Sequence, residues 1–191
     1  DLDDDLKIEL IEKNFREIMH VLGLDLSDDS LSGTPKRVAK MYVKEIFRGL
    51  NPANKPKISM FENKYKYNQM LVEKNITFYS NCEHHFVPII GKAHVAYVSN
   101  GKVIGLSKIN RIVQYFSQRP QVQERLTTEI RDCIQDTLKP LGVAVVIECK
   151  HLCMSMRGVQ KQNSVTTTSA FTGAFENEKT RSEFVRLIGV S

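Results

Sequence analysis

No apolar run in this chain approaches the roughly 20 residues of a membrane-spanning helix, and no apolar segment follows a basic start. Neither a membrane protein nor a secreted one is therefore expected, and the default address is the cytosol. Blocks of five or more basic residues are also missing, although the net charge is +5. Aromatics make up only 8% of the chain and do not interleave with Arg and Lys as a single-strand binding groove would require. Nucleic acid and membrane are thus not the expected partners. Scattered basic charge fits a focused site for a polyanionic small molecule better. There is no internal repeat and no low-complexity tract. Cysteines are few, and the four present (Cys82, Cys133, Cys149, Cys153) lie in a chain without a secretory pattern, which favours thiols or metal ligands over disulfides.

What is present is enough to fold. With 191 residues, 41% of them apolar, the chain can bury one core with a helical extension. The expected division is an N-terminal helical region over 1–55 and a catalytic core over 56–191, functionally one domain. "LKIELIEKNFREIMHVLGL" has helical spacing, and "GTPKRVAKMYVKEIF" offers Thr34 as a cap with Pro35 at the first helical position. Gly49, Pro52 and Pro56 mark a connector. Strand-like runs follow at "MLVEKNITFYS", "GKAHVAYVS" and "KVIGL", then two helices divided by Arg119-Pro120. "GVAVVIECKHLCMSM" reads as a long strand, "SVTTTSAFTGAF" as another, and "EKTRSEFVRLI" as a closing helix. That order gives an α+β fold with mainly antiparallel pairing.

Two short stretches concentrate the chemistry. "NCEHHF" supplies Cys82, His84 and His85, and "ECKHLC" supplies Cys149, His151 and Cys153, which a continuous strand would place on one face. Together they hold enough sulfur and imidazole for zinc, either as a catalytic set of two Cys and one His or as a closed structural cage. Which histidine binds stays open on these grounds. Cys133, mid-helix in "RLTTEIRDCIQDTL", reads as a packed thiol.

"CEHHFVPIIGKAHVAY", "IGLSKINRIV", "RPQVQERLT" and "KHLCMSMRGV" resemble the ordered motifs of the GTP cyclohydrolase I family, from about Thr34 to the end of the chain. The resemblance implies a tunnelling fold (T-fold), with an antiparallel sheet and a helix pair, closing by association into a homo-oligomer, a decamer with sites between subunits. It implies hydrolysis of GTP to 7,8-dihydroneopterin triphosphate and formate, the first committed step of pterin (folate or tetrahydrobiopterin) biosynthesis. By position, Cys82, His85 and Cys153 become Zn2+ ligands, with Cys149 a packed thiol. His84 and His151 become acid/base groups. Glu124, with Gln123 beside it, becomes the reader of guanine. Ser107, Lys108, Arg111, Arg157 and Lys40 become the triphosphate site. Lys108 and Arg111 share one face at a helix start, where backbone N–H groups also favour anions.

Three other readings compete. A zinc-stabilised nucleic-acid module predicts a closed metal site and salt-sensitive binding without turnover. A related T-fold enzyme would use either a catalytic cysteine without this zinc set or three histidines, and the CxxH with a distant HxC fits neither. A catalytically silent relative would have lost a motif position, and none is lost here. No residue speaks to a regulatory protein partner.

Overall fold

The computed structural model describes residues 2–189. Helix α1 (Asp4–Val21) begins where the Asp3 carboxylate accepts the Leu6 N–H at 2.8 Å. The turn α2 (Asp29–Ser32) leads into α3 (Thr34–Met41). The expected cap differs by one residue: Gly33 holds the cap position without a side-chain bond, and Thr34 is already helical. Its hydroxyl accepts instead from the Arg37 guanidinium at 2.7 Å. A wide i→i+5 turn over Tyr42–Ile46 and two 3-10 turns, Arg48–Leu50 and Pro52–Asn54, form the connector that the Pro and Gly content predicts.

The core follows as β1 (Met60–Glu62), β2 (Met70–Cys82), β3 (Pro88–Val98), β4 (Lys102–Ile104), α4 (Leu106–Ser117), β5 (Pro120–Gln121) and α5 (Gln123–Leu138). Then come β6 (Gly142–His151), the turn α6 (Leu152–Ser155), β7 (Thr166–Phe171) and α7 (Glu178–Ile188). The main sheet runs β5-β2-β3-β6-β7, antiparallel except for the short parallel pairing of β5 with β2. This is the expected α+β architecture, with its antiparallel sheet and helix pair. Two strands had no counterpart in the pattern: β5, where Arg119-Pro120 reads only as a break between helices, and β1, which pairs with β4 in a separate two-stranded sheet.

Alternation sorts the side chains between two cores. Ile89, Ala93, Val95 and Tyr97 of β3 pack with Ile109, Ile112, Ile130 and Ile134 under α4 and α5. Ala96, Ala144 and Val146 face Phe175, Phe184 and Ile188 on the α7 side. Strand β6 is buried on both faces from Val143 to Ile147, which is why its sequence reads as an unbroken apolar run. Each fully buried Ile contributes about 1.5–3 kcal/mol. Gly91 admits no side chain, since a Cβ there would lie 2.6 Å from both Cys149 Sγ and the Phe78 ring.

Register decides what meets at each end of the sheet. Asn81 pairs with Pro88, and Ile89 with His151, so the ends of β2 and β6 and the start of β3 converge. Helix α4 runs along β2 from the opposite end. It begins just after Ile104, whose N–H donates to the Tyr97 hydroxyl at 3.2 Å, and finishes beside Ser80, which donates to the Arg119 carbonyl at 3.3 Å.

Candidate metal and active site

The β2–β3 connection is short enough to force both histidines outward. Cys82 N–H donates to the Val87 carbonyl at 2.9 Å and Phe86 N–H to the Cys82 carbonyl at 2.8 Å, closing a tight loop. Phe86 closes it with φ of 54°, a left-handed conformation costing a side-chain-bearing residue about 1–2 kcal/mol. Its ring is held against Phe47, with centroids 5.1 Å apart, and Tyr42, at 6.3 Å, so packing from the N-terminal region offsets the strain.

Within this loop the two histidines separate by geometry. Cys82 Sγ lies 3.6 Å from His84 Nδ1 and 3.9 Å from His85 Nδ1. His85 is the one that closes a group with Cys153: the ligand atoms of Cys82, His85 and Cys153 all fall within 4.8 Å of one another. Donors bound at about 2.0–2.3 Å around a tetrahedral metal stand about 3.3–3.8 Å apart, so these residues fit a metal such as zinc with little movement. Burial raises the Cys153 thiol pKa, and the neighbouring Cys82 raises it further. The group has three donors, one fewer than a closed structural cage.

The route by which Cys153 arrives differs from the expected one. Strand β6 stops at His151, and the turn α6 carries Cys153 to Cys82, so the alternation through Cys149, His151 and Cys153 does not run to its end. Cys149 lies in the core beneath α4 and α5, 1% exposed, its thiol pushed up to about 12 by burial and then by Glu148. It is the packed thiol expected.

His151 sits at the end of β6 with Nε2 2.8 Å from Gln123 Oε1. Burial lowers its pKa, and the Glu124 charge opposes that shift. Gln123 and Glu124 are adjacent in the first turn of α5 but differ in setting. Gln123 is 3% exposed and fully engaged, whereas Glu124 is exposed with no side-chain hydrogen bond to any described residue. Arg157, on the other side, brings Nη1 to 3.5 Å from His85 Nε2 and 3.4 Å from the Cys153 carbonyl.

The remaining cations stand elsewhere. Ser107 and Lys108 open α4, where Gly105 supplies no side-chain cap. Ser107 precedes Ser117, the residue at the other end of the helix, by ten residues, or about 15 Å of axis. Arg111, a turn further on, lines a cleft with Arg48, Asn54 and Gln114. No hydrogen bond or ion pair among the described residues joins Lys40, Ser107, Lys108 or Arg111 to the metal-ligand group.

Residue types alone did not flag a second set of groups. Glu83, between two site residues, forms an ion pair with Arg125 of α5. Arg125 Nε donates to Gln121 Oε1 at 3.0 Å, Gln121 Nε2 to Glu129 at 2.7 Å, and Arg119 completes the chain to Glu129 at 3.6 Å. The Arg125 interaction holds the Glu83 carboxyl below its usual range. The ligand loop is thereby tied to α5. The signal was only a Glu next to the histidines and an Arg next to Glu124, both of which read alone as solvated charges.

Comparison with known proteins decides the family. The GTP cyclohydrolase I model matches residues 11–189. The chain belongs to the GTP cyclohydrolase I family. It is 58% identical over 188 residues to the GTP cyclohydrolase 1 of Flavobacterium johnsoniae, covering 98% of this chain and 84% of the relative. To that of Vibrio cholerae it is 56% identical over 180 residues, 94% of this chain and 83% of the relative. A solved archaeosine synthase QueF-Like in the apo form superposes with a TM-score of 0.48 at 16% identity, over 57% of this chain and 98% of that one. No helix among the described residues is long and apolar enough to cross a membrane.

Proposed function

We propose that this GTP cyclohydrolase I family member hydrolyses GTP to 7,8-dihydroneopterin triphosphate and formate at a zinc held by Cys82, His85 and Cys153. The observation that carries the reading is the three-donor group flanked by a free carboxylate, Glu124, and two further imidazoles, His84 and His151. A bound zinc supplies hydroxide at neutral pH by lowering the pKa of water from about 16 to about 7.

The chain's own residues supply the rest. Glu124 accepts the guanine N1–H and exocyclic amine together, and adenine, lacking that donor pair, would leave the carboxylate unmatched. His84, on the outer side of the ligand loop, delivers a proton to the imidazole nitrogen of the purine so that C8 becomes electrophilic. His151 moves protons in ring opening and in the later ribose steps. Arg157 sets a fixed positive charge beside the ligand group for the substrate's anionic end.

Ser107, Lys108 and Arg111, with Lys40, serve as the triphosphate site for a neighbouring copy. Their lack of any bond to this chain's own ligand group, together with the position of Ser107 and Lys108 at the opposite end of β2, supports a site assembled between subunits. A ring-forming homo-oligomer, a decamer in the family pattern, provides that arrangement. The product enters pterin biosynthesis in the cytosol.

Incubation with GTP, following formate release and pteridine absorbance, tests the reading. Equimolar formate and pteridine that vanish on chelation and return with zinc are expected. Zinc-loaded, assembled protein that releases no formate would refute it.

A further inference from the structure

We infer that Gln123 is a positioning residue for His151: it fixes the ring as the Nε2–H tautomer and makes Nδ1 the atom that exchanges protons with substrate. The inference rests on the reading of His151 as an acid/base group, but its structural half can be tested separately.

The argument starts from the amide. Gln123 Nε2 faces three acceptors: the Ile147 carbonyl at 3.0 Å, the Thr166 carbonyl at 2.9 Å and Thr168 Oγ1 at 3.1 Å. Two of these are carbonyl oxygens that can only accept. Turning the amide over would set Oε1 against both, in a pocket where Gln123 is 3% exposed and water cannot relieve the repulsion. The neighbouring hydroxyls agree with this orientation. Thr127 donates to the Gln123 carbonyl at 2.7 Å, and so it accepts from Thr168, 2.7 Å away, leaving the Thr168 oxygen to receive the amide N–H.

With the nitrogen so engaged, Oε1 must be the atom facing His151 Nε2 at 2.8 Å. An amide oxygen has no proton to give, so Nε2 carries the hydrogen in both the neutral and the charged ring. Only Nδ1 can then gain or lose a proton. No described residue hydrogen-bonds to it, which leaves it available to substrate. The same bonds join α5, β6 and β7, so the ring is aimed by three elements at once. They also leave the Gln123 side-chain amide no spare donor for a base.

Two measurements test this. In wild-type protein carrying 15N-histidine, solid-state NMR should show His151 with a protonated Nε2 and a bare Nδ1, its signals assigned among the five histidines by their loss in His151→Asn. Gln123→Met keeps the side-chain shape and removes the bonds. Its kcat should fall about 10–100-fold while zinc content holds and KM for GTP stays within about 2-fold. A protonated Nδ1 on a neutral ring, or a raised KM at unchanged kcat, would overturn the inference. Should Gln123→Met fail to fold, the nitrogen spectrum of the wild-type protein decides alone. Absence of formate from wild-type protein would sink the proposed function instead, leaving the tautomer to stand or fall on that spectrum.

Discussion

In the proposed reading, the two ends of the β2 strand carry opposite halves of one chemistry. At the Cys82 end, two thiols and an imidazole come within 4.8 Å of one another, with His151 braced by buried hydrogen bonds and the ligand loop clamped to α5 through Glu83 and Arg125. At the Met70 end, the first turn of α4 presents Ser107 and Lys108 with no side-chain cap at Gly105, and no carboxylate among the described residues pairs with Lys108. In the proposed reading the Cys82 end holds the metal donors with one cation, Arg157, beside them, and the Met70 end holds further cations for the substrate's phosphates. On that reading, the difference teaches that a fully folded chain holds half of each of two sites.

The largest effects test whether the ends cooperate between copies. Cys153→Ser removes a thiolate anchor, and zinc content and turnover should be lost together, turnover by several orders of magnitude. Lys108→Ala should keep zinc and lose GTP turnover. Chains of the two kinds unfolded and reassembled together should regain about one quarter of wild-type activity, the fraction of sites drawing both intact halves from different copies. No recovery in mixed assemblies would show that each chain serves its own site.

A smaller effect sharpens the Cys82 end. Glu124→Gln should retain zinc and raise KM for GTP by about 10–100-fold, because a carboxylate that accepts two base N–H groups becomes an amide that sets one donor against a donor. Unchanged GTP kinetics would remove Glu124 from base recognition.

Legibility followed the same division. Cys82, His84 and His85 were readable because rare residue types crowd a few positions, and Thr34 to the closing helix was readable because its periodicities are plain. Residue types alone left His84 and His85 open and the family resemblance picked His85; the geometry behind that choice, a loop bent by Phe86 at positive φ and the turn α6 delivering Cys153, was not visible in the residues. A strand pattern carried through to Cys153 missed that turn. Glu83 with Arg125 and Gln123 with His151 were equally hidden: each pair is separated by 28 residues or more, and neither member is unusual alone. Residue type reveals a ligand; only packing reveals what aims it.

The smallest effect belongs to the sheet between the two ends. His94, 2% exposed on β3, accepts the Asn75 N–H on Nδ1 at 3.3 Å and faces Glu148 from Nε2 at 3.5 Å, with Lys92 and Lys74 as the other nearby charges. Burial lowers its pKa below the ordinary 6.5, outweighing the opposing pull of Glu148. The unfolded chain then binds the extra proton first, so this contribution to stability is intact above pH 6.5 and is lost as pH falls below it. The unfolding free energy from denaturant titration should drop between pH 7.5 and pH 5.5 in wild type, by about 1 kcal/mol or less, and drop less in His94→Gln. Equal drops in both would detach that pH dependence from His94.

The most direct test of the central claim is X-ray absorption at the zinc edge of the assembled protein. The account predicts two sulfur ligands at about 2.3 Å and nitrogen or oxygen ligands at about 2.0–2.1 Å completing four-coordination. A shell of three or four sulfurs, or zinc bound without sulfur, would contradict a site built from Cys82, His85 and Cys153.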